Sequence, residues 1–306
     1  MLPKLSGKIL TMKDFTTVLT MHREARGEIL AQLREVYDGS YSKSFGTGEE
    51  KRWEGHVGLL AGVTEVIDAQ TAVHSILGER FILYRPQTDL EDRKQIARRA
   101  IENVGSEKII RKTLQEAVQE FIRSLGALEG VDVAMSETFK EAIATLADLT
   151  AKGRAAVPRD GYSRLVLYTP QPETPARLAK QFSLLAKGIA IIRGGREVMA
   201  EDLAVIRRLA QDTMIRQRVF VLKALTRNFS EWTETKTIAQ EIRHPSKTAL
   251  KHLEDCFILR LVERDIEVAE GEERGRGSSI PYRWRLTVRL AEDIQESGIF
   301  QDEPQF

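Results

Sequence analysis

The chain reads as a mixed α/β protein, mainly helical, in three successive zones. Three observations predict this. From Leu5 to Pro86 short apolar runs alternate with amphipathic stretches, the order that builds a parallel sheet. From Thr88 to Thr213 apolar residues recur at helical spacing, with one strand-like interruption. From about Arg216 three short helical patterns precede two strand-like runs. At 306 residues the length suits two or three domains.

In the first zone Lys8–Lys13 reads as a strand with Asp14 at its carboxyl end. Val18–Tyr37 then carries Leu19, Ile29, Leu30, Leu33 and Val36 at helical spacing, and Asp38-Gly39 ends it. Leu59–Val63 is a second apolar run, stopping at Thr64, and Ile82–Tyr84 is a third, stopping at Arg85. In the second zone Thr88 to Glu91 has the spacing of a capping box. Thr174-Pro175 pairs a capping threonine with a first-turn proline, opening a helix that stops at Gly194-Gly195. The interruption, Val157–Pro172, contains the strand-like Arg164–Tyr168.

Composition bounds the chemistry. An apolar fraction of 42% and a charged fraction of 30% are those of a globular chain with a sizeable core. The net charge of +1 selects no partner. One cysteine, Cys256, excludes an internal disulfide, so a reducing, cytoplasmic compartment is expected. No apolar run approaches the ~18 residues of a membrane span, and no membrane partner is expected. The five histidines, His22, His56, His74, His244 and His252, show no metal-ligand spacing.

The polar strand ends carry the functional reading. In open α/β sheets ligands lie outside the carboxyl ends of the strands, where residues ending adjacent strands can converge. Asp14 suits a magnesium ion or a water, Thr64 a phosphate or water, and Arg80 or Arg85 phosphate charge. Taken singly, Thr64 could instead cap the next helix and the arginines could be surface charges.

The order of these parts resembles the second half of an AAA+ ATPase core: strand ending in acid, helix, loop, strand ending in threonine, helix, then arginine before another strand. The resemblance covers roughly Leu5 to Thr213 and implies roles for four residues. Asp14 falls at the Walker B position, with Phe15 in place of the usual glutamate; Thr64 falls at sensor 1. Arg80, in "LGERF", is similar to the arginine finger of minichromosome-maintenance and related phage and plasmid replication helicases. Arg177 falls at the sensor-2 position of a helical lid. ATP with Mg2+, a homo-oligomeric ring and DNA are the ligands and partners so implied.

One departure limits this. The chain has no G-x-x-x-x-G-K-[ST]; its nearest run, Phe45–Lys51, has neither the spacing nor the ending. Nothing then cradles a β-phosphate. The expectation is a carboxyl portion of a longer or split motor that needs a P-loop-bearing segment or subunit, or a remnant without hydrolysis. No cofactor is expected on this chain alone.

Two stretches suggest nucleic acid. Between Asp38 and Gly58, Lys51, Arg52 and Trp53 place basic groups beside an aromatic, as suits phosphate charge and base stacking, where helicases of this superclass carry a pore-facing hairpin. A surface loop whose tryptophan folds onto the core explains the same residues. The third zone carries helices at Val219–Leu225, Lys236–Ile242 and from His244-Pro245 to about Cys256. Strands at Leu261–Arg264 and Tyr282–Leu286 follow, flanking a tip at Glu270–Ser279. This is similar to a winged helix. From Arg216 to Leu290 it has 15 Lys and Arg against 11 Asp and Glu. Lys247, Thr248, Lys251 and His252 could face a groove, and Arg274 and Arg276 could reach phosphate from the tip. Acidic neighbours leave protein docking open for this module.

The expected organisation is a partial AAA+ α/β core at 1–86, a helical lid at 87–214, a winged helix at 215–290 and a tail at 291–306. Two functions are consistent with it: the carboxyl part of an ATP-dependent DNA replication motor of a mobile element, or a non-catalytic winged-helix DNA-binding regulator or adaptor.

Overall fold

A computed structural model describes residues 5–44, 50–69, 80–86, 90–128, 130–229, 231–266 and 282–301. The described residues are mostly helical, with three small sheets among them. The nearest P-loop-like run (apart from its last two residues), the capping threonine Thr88, the tip at Glu270–Ser279, Arg274 and Arg276 lie outside the described residues.

Strand β1 (Lys8–Met12) pairs in parallel with β4 (Val57–Ala61), in a register that sets Met12 beside Ala61. Alternation divides this pair into two faces. Met12 and Ala61 pack onto Phe15, Val18, Leu19, Leu30 and Ile67 from the helices beneath. On the opposite face Ile9 and Leu60 stay 71% and 65% exposed. Between the paired strands come α1 (Thr16–Leu19), α2 (Arg23–Tyr37) and an antiparallel hairpin, β2 (Ser40–Ser44) with β3 (Glu50–Glu54). Helix α3 (Val66–Ala69) follows β4.

The helix expected over Val18–Tyr37 is broken at residues 20–22, and local hydrogen bonding explains why. The Thr20 hydroxyl donates to the carbonyls of Thr16 and Thr17, both at 3.1 Å. The Arg26 guanidinium takes the Leu19 carbonyl at 2.9 Å. Side chains thus claim the carbonyls that a continuous helix would use.

The strand expected at Ile82–Tyr84 is also absent. Side chains of the following helices satisfy its backbone instead: Leu83 N–H donates to Thr213 Oγ1 at 3.0 Å and Arg85 N–H to Asp212 Oδ2 at 2.8 Å. Arg154 and Arg208 donate to the carbonyls of Phe81 and Arg85, each at 3.0 Å. With these backbone groups paired to side chains, they are not available for a ladder.

Helices α4 (Leu90–Glu102) and α5 (Glu107–Ser124) lead to the main body. There α6 (Glu137–Arg154), α7 (Ala176–Ile192) and α8 (Ala200–Thr213) pack together, with Leu146, Leu178, Phe182 and Ile206 completely buried. Ser136 caps α6 by accepting from Phe139 N–H at 3.2 Å. Expected as a strand, Arg164–Tyr168 makes only an isolated bridge between Arg159 and Val166. Asp160 builds a turn there, accepting from the backbone N–H of Tyr162 and Ser163.

The same hydrophobic core continues into the last zone. It comprises α9 (Arg216–Leu225), β5 (Thr233–Glu234), α10 (Thr235–Glu241), α11 (Ser246–Ile258), β6 (Val262–Ile266) and β7 (Tyr282–Leu286). The sheet order is β5-β7-β6, antiparallel throughout. Thr235, the first residue of α10, ties that helix to the sheet: it accepts from Trp284 Nε1 at 2.8 Å and donates to the Tyr282 carbonyl. The expected tail begins inside a helix, α12 (Val288–Ser297), which packs on α6. Its end is fastened to α8 through Arg207 to the Ser297 carbonyl and Gln211 to the Ile299 carbonyl.

Candidate functional site

The carboxyl ends of β1 and β4 bring Asp14 and Thr64 to one place. Asp14 accepts from Thr16 N–H at 2.9 Å and Thr17 Oγ1 at 3.4 Å, so its carboxylate caps α1. The Thr16 hydroxyl accepts from Thr64 N–H at 3.1 Å and lies 3.2 Å from Thr64 Oγ1. Thr16 is therefore the link between the two predicted residues, which sequence reading missed. Gly62 permits the approach: a Cβ there would lie 2.7 Å from the Lys13 carbonyl oxygen. The cluster is exposed. Asp14 is its single acid, and among the described residues no three His, Cys, Asp or Glu side chains group as a metal site.

A second cluster surrounds Asp38, at the end of α2. Arg80 donates to it with Nε (3.1 Å) and Nη2 (2.5 Å), a two-point ion pair within the same chain. Its guanidinium also lies 5.8 Å from the centre of the Tyr37 ring. Gln181 of α7 donates to the Arg80 carbonyl at 2.8 Å and to the Tyr37 hydroxyl at 3.0 Å. The Arg80 hydrogen bond holds the Asp38 carboxyl below its usual range, opposed by partial burial, with the charges of Arg177 and Arg34 adding to the effect. Arg80 and Arg177, distant in sequence, thus act on one carboxylate. Asp38 was read from sequence only as a helix stop.

Arg85 has a different position. Both its terminal nitrogens pair with Asp68 of α3 at 2.7 Å, and its Nε donates to the Asp212 carbonyl at 2.9 Å. It fastens the 81–86 segment to α3 and α8.

In the hairpin, Lys51 and Arg52 are exposed, and Arg52 pairs with Glu54 at 2.9 Å. Trp53 is buried, 7% exposed, with its indole nitrogen lacking a hydrogen-bond partner. Gly55 makes room for it, since a Cβ there would meet the ring at 2.8 Å. The ring offers no open face for a base, and Lys51 and Arg52 face outward beside the acidic Glu54.

On α11, Lys247 and Lys251 are exposed and Thr248 is half-buried, while Ala249 and Leu253 are completely buried. His252 turns inward: burial pushes its pKa down to about 4, and its Nδ1 is buried without a partner. Next to it the Cys256 thiol is completely buried and pushed up to about 12, which removes it as a nucleophile at neutral pH.

Beneath α11 lies a network that no sequence pattern announces. Arg218 of α9, 2% exposed in its side chain, donates to Asp255 at 3.2 Å and to the carbonyls of Gly153 and Ala155 at 3.2 and 2.6 Å. Arg159 donates to the other Asp255 oxygen at 2.7 Å, and also to Glu254 and the Lys251 carbonyl. Two arginines thereby set the helix bearing Lys247 and Lys251 against the end of α6.

No protein-family model matches this chain, and no curated protein matches it.

Proposed function

We propose that the chain is the carboxyl portion of an AAA+-type DNA motor whose P-loop is supplied by another segment or subunit, with a winged helix as its DNA-contacting module. The observation that carries this reading is the parallel β1–β4 pair with Asp14 and Thr64 joined through Thr16 at its carboxyl end. Around Asp38, Arg80 and Arg177 act on one carboxylate, as finger and sensor-2 residues serving a shared face would. The three helices and antiparallel sheet of the last zone, with Lys247 and Lys251 outward on α11, support the DNA-contacting role. ATP and Mg2+ belong to the completed assembly, because the sequence has no G-x-x-x-x-G-K-[ST] loop to cradle a phosphate.

A specific observation favours the second reading, a non-catalytic DNA-binding regulator or adaptor. Arg80 is already neutralised by Asp38 within its own chain, and a finger must leave that pair to reach a neighbour's nucleotide.

The test is duplex DNA binding by this chain across a salt series. Each neutralised phosphate adds about 0.9 to the slope of log affinity against log salt, so K247A/K251A should flatten it by up to about 2. A loss equal across sequences fits the motor; a loss confined to one sequence means base reading and favours the regulator. No salt-dependent binding, even at low ionic strength, refutes both.

A further inference from the structure

The two acids of α11 are both engaged within the protein. Glu254 and Asp255 pair with Arg159, and Asp255 pairs with Arg218 as well. These four charges cancel. Lys247 and Lys251, one helical turn apart, stay exposed and make no ion pair among the described residues. Arg159 also carries a loop. Its Nη1 donates to the Arg164 carbonyl at 3.2 Å and its Nη2 to the Lys251 carbonyl at 3.5 Å. One guanidinium therefore ties the two residues, and their backbones lie within about one Debye length of each other, ~10 Å at 0.1 M salt. The loop is closed by Asp160 N–H to the Leu165 carbonyl at 2.8 Å and by Leu167 N–H to the Pro158 carbonyl at 3.0 Å. At its tip Tyr162 is 99% exposed, and Arg164 is exposed too. Arg164 has φ 61°, a left-handed conformation that glycine or asparagine adopts at less cost.

We infer that the loop over residues 158–168 is a second DNA-contacting element, in which Arg164 meets backbone phosphate beside Lys251. The inference rests on the DNA-contacting role proposed for α11 and extends it to a segment outside the winged helix.

Charge selects a polyanion. Beyond the four cancelled charges, α11 and the loop hold Lys247, Lys251 and Arg164 against Asp160 alone. The Asp160 carboxylate accepts from the N–H groups of Tyr162 and Ser163 and from the Ser163 hydroxyl, so its own turn surrounds it with donors. Cations this close add to one field whatever the rotamer of each side chain. Duplex DNA offers a continuous row of charge, one per about 1.7 Å of helix axis, long enough to meet both elements at once. The Tyr162 hydroxyl is a further donor of the kind that phosphate oxygens take. Because Arg159 and Asp160 fix the loop beforehand, little ordering opposes the contact.

Duplex binding by the full chain across a salt series tests it. Arg164→Asn, which tolerates the left-handed backbone, should flatten the slope of log affinity against log salt by about 0.9, the contribution of one phosphate. Arg164→Gln, with the native backbone strain and no charge, should give the same loss, and Arg164→Lys should keep the wild-type slope. The loss should be equal across sequences and should add to that of K247A/K251A, because separate phosphates are involved. A slope unchanged by Arg164→Asn and Arg164→Gln, while K247A/K251A flattens it, overturns this inference and leaves the proposed function standing. A chain without salt-dependent duplex binding overturns both. Polyglutamate bound as tightly as the duplex, and weakened equally by Arg164→Asn, would assign the loop to an acidic protein and overturn the inference.

Discussion

Replacing Asp255 by alanine should destabilise the main body by about 3–5 kcal/mol, the cost of leaving a buried charge without its partner. The structure sets this magnitude. The Asp255 side chain is 7% exposed and that of Arg218 2%, so water cannot replace the lost carboxylate. Arg218 would keep two carbonyl partners, at Gly153 and Ala155, but no counter-charge. Arg159 is in a milder position: its side chain is 15% exposed and it would retain Glu254. Arg159→Ala should therefore cost less, about 1–2 kcal/mol, since Asp255 keeps Arg218. Removing both charges, as Arg218→Met with Asp255→Leu, should recover much of the loss, because a packed apolar pair avoids the desolvation penalty. Urea unfolding of the single and double variants measures these differences and their non-additivity. An Asp255→Ala loss below about 1 kcal/mol would refute the reasoning. So would a double variant that loses the sum of the two single changes.

His252 gives a pH prediction. Its folded pKa, about 4, lies below the ordinary value of 6.5, so the unfolded chain binds the extra proton first. Its contribution to stability is full above about pH 6.5 and is lost as pH falls toward 4, by about 3 kcal/mol at most. His252→Gln should remove that part of the pH dependence; a difference between the two proteins that is flat from pH 7 to 4 would contradict it. Gly62→Ala should destabilise the β1–β4 unit by about 1–3 kcal/mol, because its Cβ would meet the Lys13 carbonyl at 2.7 Å. Faster hydrogen exchange at Thr64 N–H would report the loosened contact with Thr16, and unchanged protection would oppose it.

What could be read from the sequence was whatever short-range pattern decides. The strands β1 and β4, the tight turn between α10 and α11, and the pair β6–β7 follow from apolar runs and their polar stops. The misses have long-range or side-chain causes. The break after Leu19 depends on Thr20 and Arg26 capturing carbonyls. Residues 81–86 have a strand-like composition, yet Thr213, Asp212, Arg154 and Arg208 supply partners from over 70 positions away. Of the site, the convergence of Asp14 and Thr64 was visible as two strand ends, while Thr16 between them was not. Asp38 was hidden because a helix-stop aspartate carries no sign of the arginines that fold onto it. His252 was expected outward as a polar residue, and packing turns it inward; of the two readings open for Trp53, the ring folded onto the core is the one observed, with a missing Cβ at Gly55 making room for it.

The central claim, that this chain completes a motor, is tested most directly by magnesium-dependent phosphate release from the chain mixed with a P-loop-bearing AAA+ segment that binds it. The account predicts no turnover by the chain alone, turnover by the assembly, and a loss on the order of 10³-fold or more for Arg80→Ala in an otherwise folded assembly. Turnover by the chain alone, or an assembly indifferent to Arg80→Ala, would contradict it.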